Sequence, residues 1–208
     1  MNGFPHSEYF QGVPLPQATV RRSLFLFLVI SLLLNSLLLN APALRAQQKE
    51  ASEYAVKATY LYNFGRFAQW PPDAVAKSDS FPICVLGEDP FGGTLDSILS
   101  GESIGGKPVI AKRVLRVQDA FECRVLYISG SEGAHLKEIL AGLDKTNILT
   151  VSDLPQFSQR GGIIQFVTVG NKVRFEVNLS SAQSAGLTLS SDLLKVAVAV
   201  RKVSQPGD

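Results

Sequence analysis

The sequence predicts an α/β fold: a layered single domain with a mixed, mostly parallel sheet flanked by helices. Three observations predict it. Short apolar runs in FPICVLG (81–87), CRVLYIS (123–129) and NILTVSD (147–153) alternate with helical patterns, the signature of strands buried on both faces between covering helices. GGIIQFVTV and KVRFEVNL flank Gly170-Asn171 with a period of two, which is a hairpin signal and makes the sheet mixed. The chain of 208 residues, 46% hydrophobic and 18% charged, is sized for one full domain and too apolar for disorder.

The elements follow in order. EYAVKATYLYNFGRFAQ (53–69) carries one apolar stripe of Tyr54, Ala58, Leu61, Gly65 and Ala68, and a second of Val56, Tyr60, Phe64 and Phe67. Both have helical spacing, and Trp70-Pro71-Pro72 ends the helix. The strand 81–87 is bounded by turn residues. Asp89 and Pro90 read as the cap and first residue of a helix to 99 that buries Leu95, Ile98 and Leu99. GESIGGK reads as a loop and PVIAKRV (108–114) as a strand. After the strand 123–129, Ser129 and Glu132 have capping-box spacing, ahead of a helix with Leu136, Ile139, Leu140 and Leu143 on one face. The strand 147–153 and the hairpin come next. Ala182–Ala185 reads as a short helical turn, and Asp192 to Val203 as a final helix.

Three of the 20 basic and one of the 18 acidic side chains lie in residues 1–46, leaving 17 of each in the remainder. A neutral body lacks the concentrated positive surface that a nucleic-acid binder needs. Arg21-Arg22, the run LFLFLVISLLLNSLLL and the small-residue stretch NAPALRA have the order of a signal peptide. Residues 1–46 are therefore expected to be an export segment, cleaved after Ala43 or Ala46. An uncleaved anchor is the alternative, since 24–44 is long enough to span a bilayer. The first 19 residues lack positive charge, and a start at Val20 would give a compact amino-terminal region. The domain itself is expected over 50–203.

Export permits a disulfide. Cys84 and Cys123 lie in neighbouring candidate strands. They read either as a bridge closing a loop of about 39 residues or as two buried thiols.

Motifs for chemistry do not assemble. Gly101-Glu102-Ser103-Ile104-Gly105 matches G-x-S-x-G, but it follows a helix and precedes a strand, the reverse of the order a nucleophile elbow needs. Gly87-Glu88-Asp89-Pro90-Phe91-Gly92-Gly93 lies where a phosphate would sit, yet its acids repel one and no lysine accompanies them. Asp153, Glu176 and Asp192 have no paired spacing. With two histidines and two cysteines in all, a zinc centre is not expected. No enzyme activity, cofactor or metal is expected, and His135 reads as a partly exposed helix residue.

KATYLYNFGRFAQWP, ICVLGEDPFGGTLD and GGIIQFVTVGNKVRFEVNLSSAQSAGLTLSSDLLKVAVAV together resemble the YfiR-like family of small exported proteins, over about residues 50–203. The resemblance implies a compact α/β domain without catalytic activity, located in the periplasm. It implies a repressor that contacts the periplasmic sensor domain of an inner-membrane diguanylate cyclase and so lowers cyclic-di-GMP output and biofilm formation. It further implies sequestration by an outer-membrane lipoprotein, and homodimers. Cys84 and Cys123 resemble the family's first cysteine pair; a second pair known in the family is missing here. The alternative reading is a periplasmic sensory module for a small apolar ligand.

Candidate contact residues come from side-chain chemistry. Phe64, Arg66 and Trp70 combine aromatic and guanidinium groups of the kind that dominate binding hot spots. Arg160, Arg174 and Glu176 form the second group; Arg174 and Glu176 are two apart on a strand, which projects them from one face, to pair with each other or with a partner.

Overall fold

The computed structural model describes residues 49–76 and 78–202; the export segment and the end of the expected last helix lie outside them. Helix α1 covers 49–67. It is followed by β1 (Ala68–Gln69), α2 (Pro72–Ala76), β2 (Phe81–Leu86), α3 (Gly93–Leu99), β3 (Ser103–Ile104), β4 (Lys107–Val114), β5 (Val125–Ile128), α4 (Leu136–Gly142), β6 (Leu149–Ser152), β7 (Ile164–Val169) and β8 (Lys172–Asn178). The chain continues through α5 (Leu179–Ser184), β9 (Thr188–Leu189), α6 (Ser191–Val196) and β10 (Ala199–Arg201).

Eight strands form one sheet in the order β10-β8-β7-β6-β5-β2-β4-β3. The pairs β4–β2, β2–β5, β5–β6, β6–β7 and β8–β10 are parallel; β7–β8 and β3–β4 are antiparallel. The fold is a single α/β domain with a mixed, largely parallel sheet flanked by helices. Every residue of β2, β5 and β6 is buried, because the pleat sends successive side chains into two separate cores. Ile83, Val85, Val125 and Tyr127 pack with α1 and α3 on one face. Cys84, Leu86, Leu126 and Ile128 pack with α4 on the other. Cys84 and Cys123 are joined in a disulfide on that second face, with Cα atoms 5.9 Å apart.

The hairpin turns at Gly170 (φ 55°) and Asn171 (φ 59°), the left-handed pair that a two-residue turn requires and that Asn tolerates. GESIGGK is a second hairpin rather than a loop: β3 turns into β4 at Gly105 and Gly106, both with positive φ. Ser103 therefore stands exposed on a strand, without the strained turn of a nucleophile elbow.

Four local readings change. Helix α1 ends at residue 67, and Ala68–Gln69 pair with Thr188–Leu189. Asp89 does not cap α3; its Oδ1 accepts from the Phe91 N–H at 2.8 Å, and the helix begins after Gly92. Buried Phe91 sets this turn by packing edge-on against Tyr54 and Tyr127. Ser129 and Glu132 form no side-chain box but bracket a 3-10 turn, Gly130–Glu132. The expected helix 192–203 stops at Val196, and Ala199–Arg201 form a parallel edge strand on β8. The alternating, partly β-branched run Ala197-Val198-Ala199-Val200 suits a strand once β8 offers a free edge.

Candidate functional site

The amino-terminal half of α1 is fixed on the sheet by a buried lysine. Lys57 is 4% exposed. Its Nζ lies 2.7 Å from Glu53 Oε1, one turn earlier, and 2.7 Å from Asp153 Oδ2, just after β6. The ammonium also sits 4.4 Å from the centroid of the Tyr54 ring. Burial alone would lower the Lys57 pKa, but hydrogen bonds to Asp153 and Glu53 outweigh it and hold the pKa above its ordinary value. Burial, with Asp153 adding to it, pushes both the Tyr54 and Tyr127 phenols up. A lysine held protonated and two neutral phenols are not general bases or nucleophiles at neutral pH. The cluster ties α1 to the carboxyl end of β6.

Beside this tie, α1 and the β7–β8 hairpin enclose two adjoining hollows that share Glu53 and Thr168. Their volumes are about 420 and 480 Å³. The larger is lined by Lys49, Ser52, Val56, Tyr60, Lys172 and Arg174. Glu53 is already held by Lys57, whereas Lys49, Lys172 and Arg174 have no carboxylate partner among the described residues. The groove therefore carries excess positive charge beside the exposed apolar side chain of Val56.

The structure separates the six expected contact residues. Phe64 is fully buried and belongs to the core, stacked among Tyr60, Phe166 and Phe175; a contact role for it is corrected by its burial. Trp70 is half-buried, its indole N–H donating to the Asn147 carbonyl at 2.8 Å and its ring edge-on to Phe81. Glu176 pairs with Arg201 at 3.1 Å rather than with Arg174, because β10 brings a guanidinium to that side of β8. Arg66 is exposed and lies 5.6 Å from the Tyr62 ring centroid. Arg160 is exposed in the turn before β7. Of the six, Arg174 alone lines the groove. The charged residues missed in sequence are Lys49, Lys57, Asp153 as the partner of Lys57, and Lys172. The i, i+4 spacing of Glu53 and Lys57 was a usable signal for part of this set.

The family described as DUF4154, YfiR/HmsC-like, matches residues 54–198, which span α1 through α6 and every charged group of the groove except Lys49 and Glu53. The chain belongs to the YfiR/HmsC-like family. Membership is consistent with a periplasmic regulatory role. No curated protein matches the chain significantly. Among solved structures, a conserved domain protein from Vibrio cholerae O1 biovar El Tor is similar at 9% identity and a TM-score of 0.48, covering 69% of this chain and 60% of that one. The ABC domain from Streptococcus pneumonia, solved with L-Trp, is similar at 11% identity and a TM-score of 0.44, covering 58% and 55%. Neither likeness bears on function. Among the described residues no helix is long and apolar enough to cross a membrane, and no group of His, Cys, Asp or Glu is placed to hold a metal.

Proposed function

We propose that this YfiR/HmsC-like protein is a non-enzymatic periplasmic regulator that binds the periplasmic sensor part of an inner-membrane diguanylate cyclase and represses it. The family match over 54–198 carries this reading. In the same reading residues 1–46 are the export segment, an outer-membrane lipoprotein sequesters the protein, and the free protein forms a homodimer.

The groove between α1 and the β7–β8 hairpin supports a protein contact. Lys49, Lys172 and Arg174 have no carboxylate partner among the described residues, its walls are held by regular elements, and Arg174 has a guanidinium suited to a carboxylate on a partner. Arg66 and Arg160 are the remaining exposed members of the expected contact set.

Two measurements test the reading. Loss of the gene should raise cellular cyclic-di-GMP; unchanged levels under all growth conditions would overturn the repressor role. Arg174→Glu should weaken capture of the cyclase sensor domain at least tenfold while moving the melting temperature by less than about 2 °C. Unchanged affinity would remove the groove as the contact surface and leave the repressor role standing.

A further inference from the structure

We propose that the cavity at the amino-terminal edge of the sheet is a binding site for a small, singly charged carboxylate, held by Arg124. This goes beyond protein binding and is independent of it.

Arg124 directly precedes β5. Its N–H donates to the Pro82 carbonyl and its carbonyl accepts from the Leu149 N–H, both at 2.9 Å, so its backbone is clamped between β2 and β6. The residue is 9% exposed. Its guanidinium makes one hydrogen bond, from Nη2 to the Ala74 carbonyl, and no ion pair among the described residues. Burial lowers its pKa. Arginine nevertheless stays protonated in proteins, so a cation with no carboxylate partner among the described residues is held inside.

Lys57, the other buried cation among the described residues, is neutralised. Lys57 lies between two carboxylates, as does Arg113. No buried side-chain nitrogen or oxygen among the described residues is sealed off without a hydrogen-bond partner. The remaining guanidinium nitrogens of Arg124 therefore reach open space. That space is a cavity of about 790 Å³, within the range of small-molecule sites.

The walls choose the ligand. Pro82 and Ile148 are buried and apolar, and Phe121 stands half-exposed at the mouth. Ser80 contributes a hydroxyl without a partner among the described residues. Glu122 is spent on Lys112 at 2.8 Å, but Asp73 and Asp79 are exposed on the rim without an ion pair among the described residues. One interior cation behind two rim carboxylates favours a monoanion over a dianion such as hydrogen phosphate, because each added negative charge meets the rim's repulsion. A carboxylate head with a short apolar body satisfies both the guanidinium and the walls.

Propionate is a suitable probe. At pH 7 and constant ionic strength, saturating sodium propionate should raise the melting temperature of the purified protein by about 5 °C over sodium chloride. Sodium phosphate should raise it by less than half as much. Arg124→Gln should abolish the propionate rise. An equal melting temperature in propionate and chloride, or a rise that survives Arg124→Gln, would overturn the site. A phosphate effect equal to or above that of propionate would overturn the assignment of a monoanion. Should Arg124→Gln fail to fold, the Nε–Hε resonance of Arg124 in the unsubstituted protein serves instead. A saturable shift with propionate and none with chloride is expected; no shift, or the same shift with both, would overturn the proposal.

Discussion

At the carboxyl ends of the parallel strands Lys57 lies between Glu53 and Asp153, and Arg113 between Asp89 and Asp96. At their amino ends Arg124 has one backbone carbonyl and no carboxylate among the described residues. The sheet is the same; Lys57 and Arg124 are both buried, whereas Arg113 is exposed. The first end satisfies itself. Arg113 holds Asp96 through two guanidinium nitrogens, Asp89 through Nε and the Gly92 carbonyl through Nη2, and these bonds close the β2–α3 turn onto β4. A region so occupied contributes stability and has little left to offer a ligand. The second end holds a charge that no carboxylate among the described residues neutralises. In an α/β sheet the carboxyl ends of the strands are the usual ligand site; here the paired acids and bases have filled that role with internal contacts.

Substitutions can break this comparison. The largest effect is expected from Cys84→Ser, which releases the cross-link between β2 and the segment leading into β5. Unfolding by denaturant should show a loss of about 4 kcal/mol. No measurable loss would mean that the double-sided core holds β2 and β5 without the bridge. Lys57→Met should cost about 3 kcal/mol, since two partly buried carboxylates lose their cation. The sign of its pH dependence follows from the raised Lys57 pKa. The ammonium's contribution is complete below the unfolded value of 10.5 and is lost as pH rises through the higher folded value. The unsubstituted protein should therefore lose more stability than Lys57→Met across that alkaline window.

Arg124→Met sharpens the contrast. Removing an unpaired buried cation should leave stability within about 1 kcal/mol of the starting value, or raise it, although Lys57→Met removes the same charge. A loss of similar size in both variants would erase the distinction between the two ends. The smallest effect belongs to the exposed rim. The guanidinium of Arg113 holds the Asp96 carboxyl below its ordinary 3.8. That contribution is present above the unfolded value and is lost as pH falls through the folded one. Arg113→Gln should flatten this acid-side slope, by less than about 1 kcal/mol because Asp96 is largely solvated. An unchanged acid titration of stability would show that solvent screens the pair completely.

Local pattern determined much of the architecture. FPICVLG, CRVLYIS and NILTVSD became β2, β5 and β6 because an apolar run bounded by turn residues can bury both faces of a strand wherever it lies in a sheet. The alternation around Gly170-Asn171 became β7 and β8 with Ile164 opposite Val177, and the cysteines met because their strands are neighbours. These properties are carried within a few residues of one another. Tertiary structure decided the rest. Residues 197–201 leave the helix because β8 presents an unpaired edge, and no periodicity inside the segment encodes that edge. Lys57 finds Asp153 at a sequence separation of 96, and Phe64 is core because the helix lies over Phe166 and Phe175. Arg124 has no carboxylate partner among the described residues because β2 and β6 bracket β5 without bringing one to it. Which charges are paired and which are left open depends on strand order, and strand order is a property of the whole sheet.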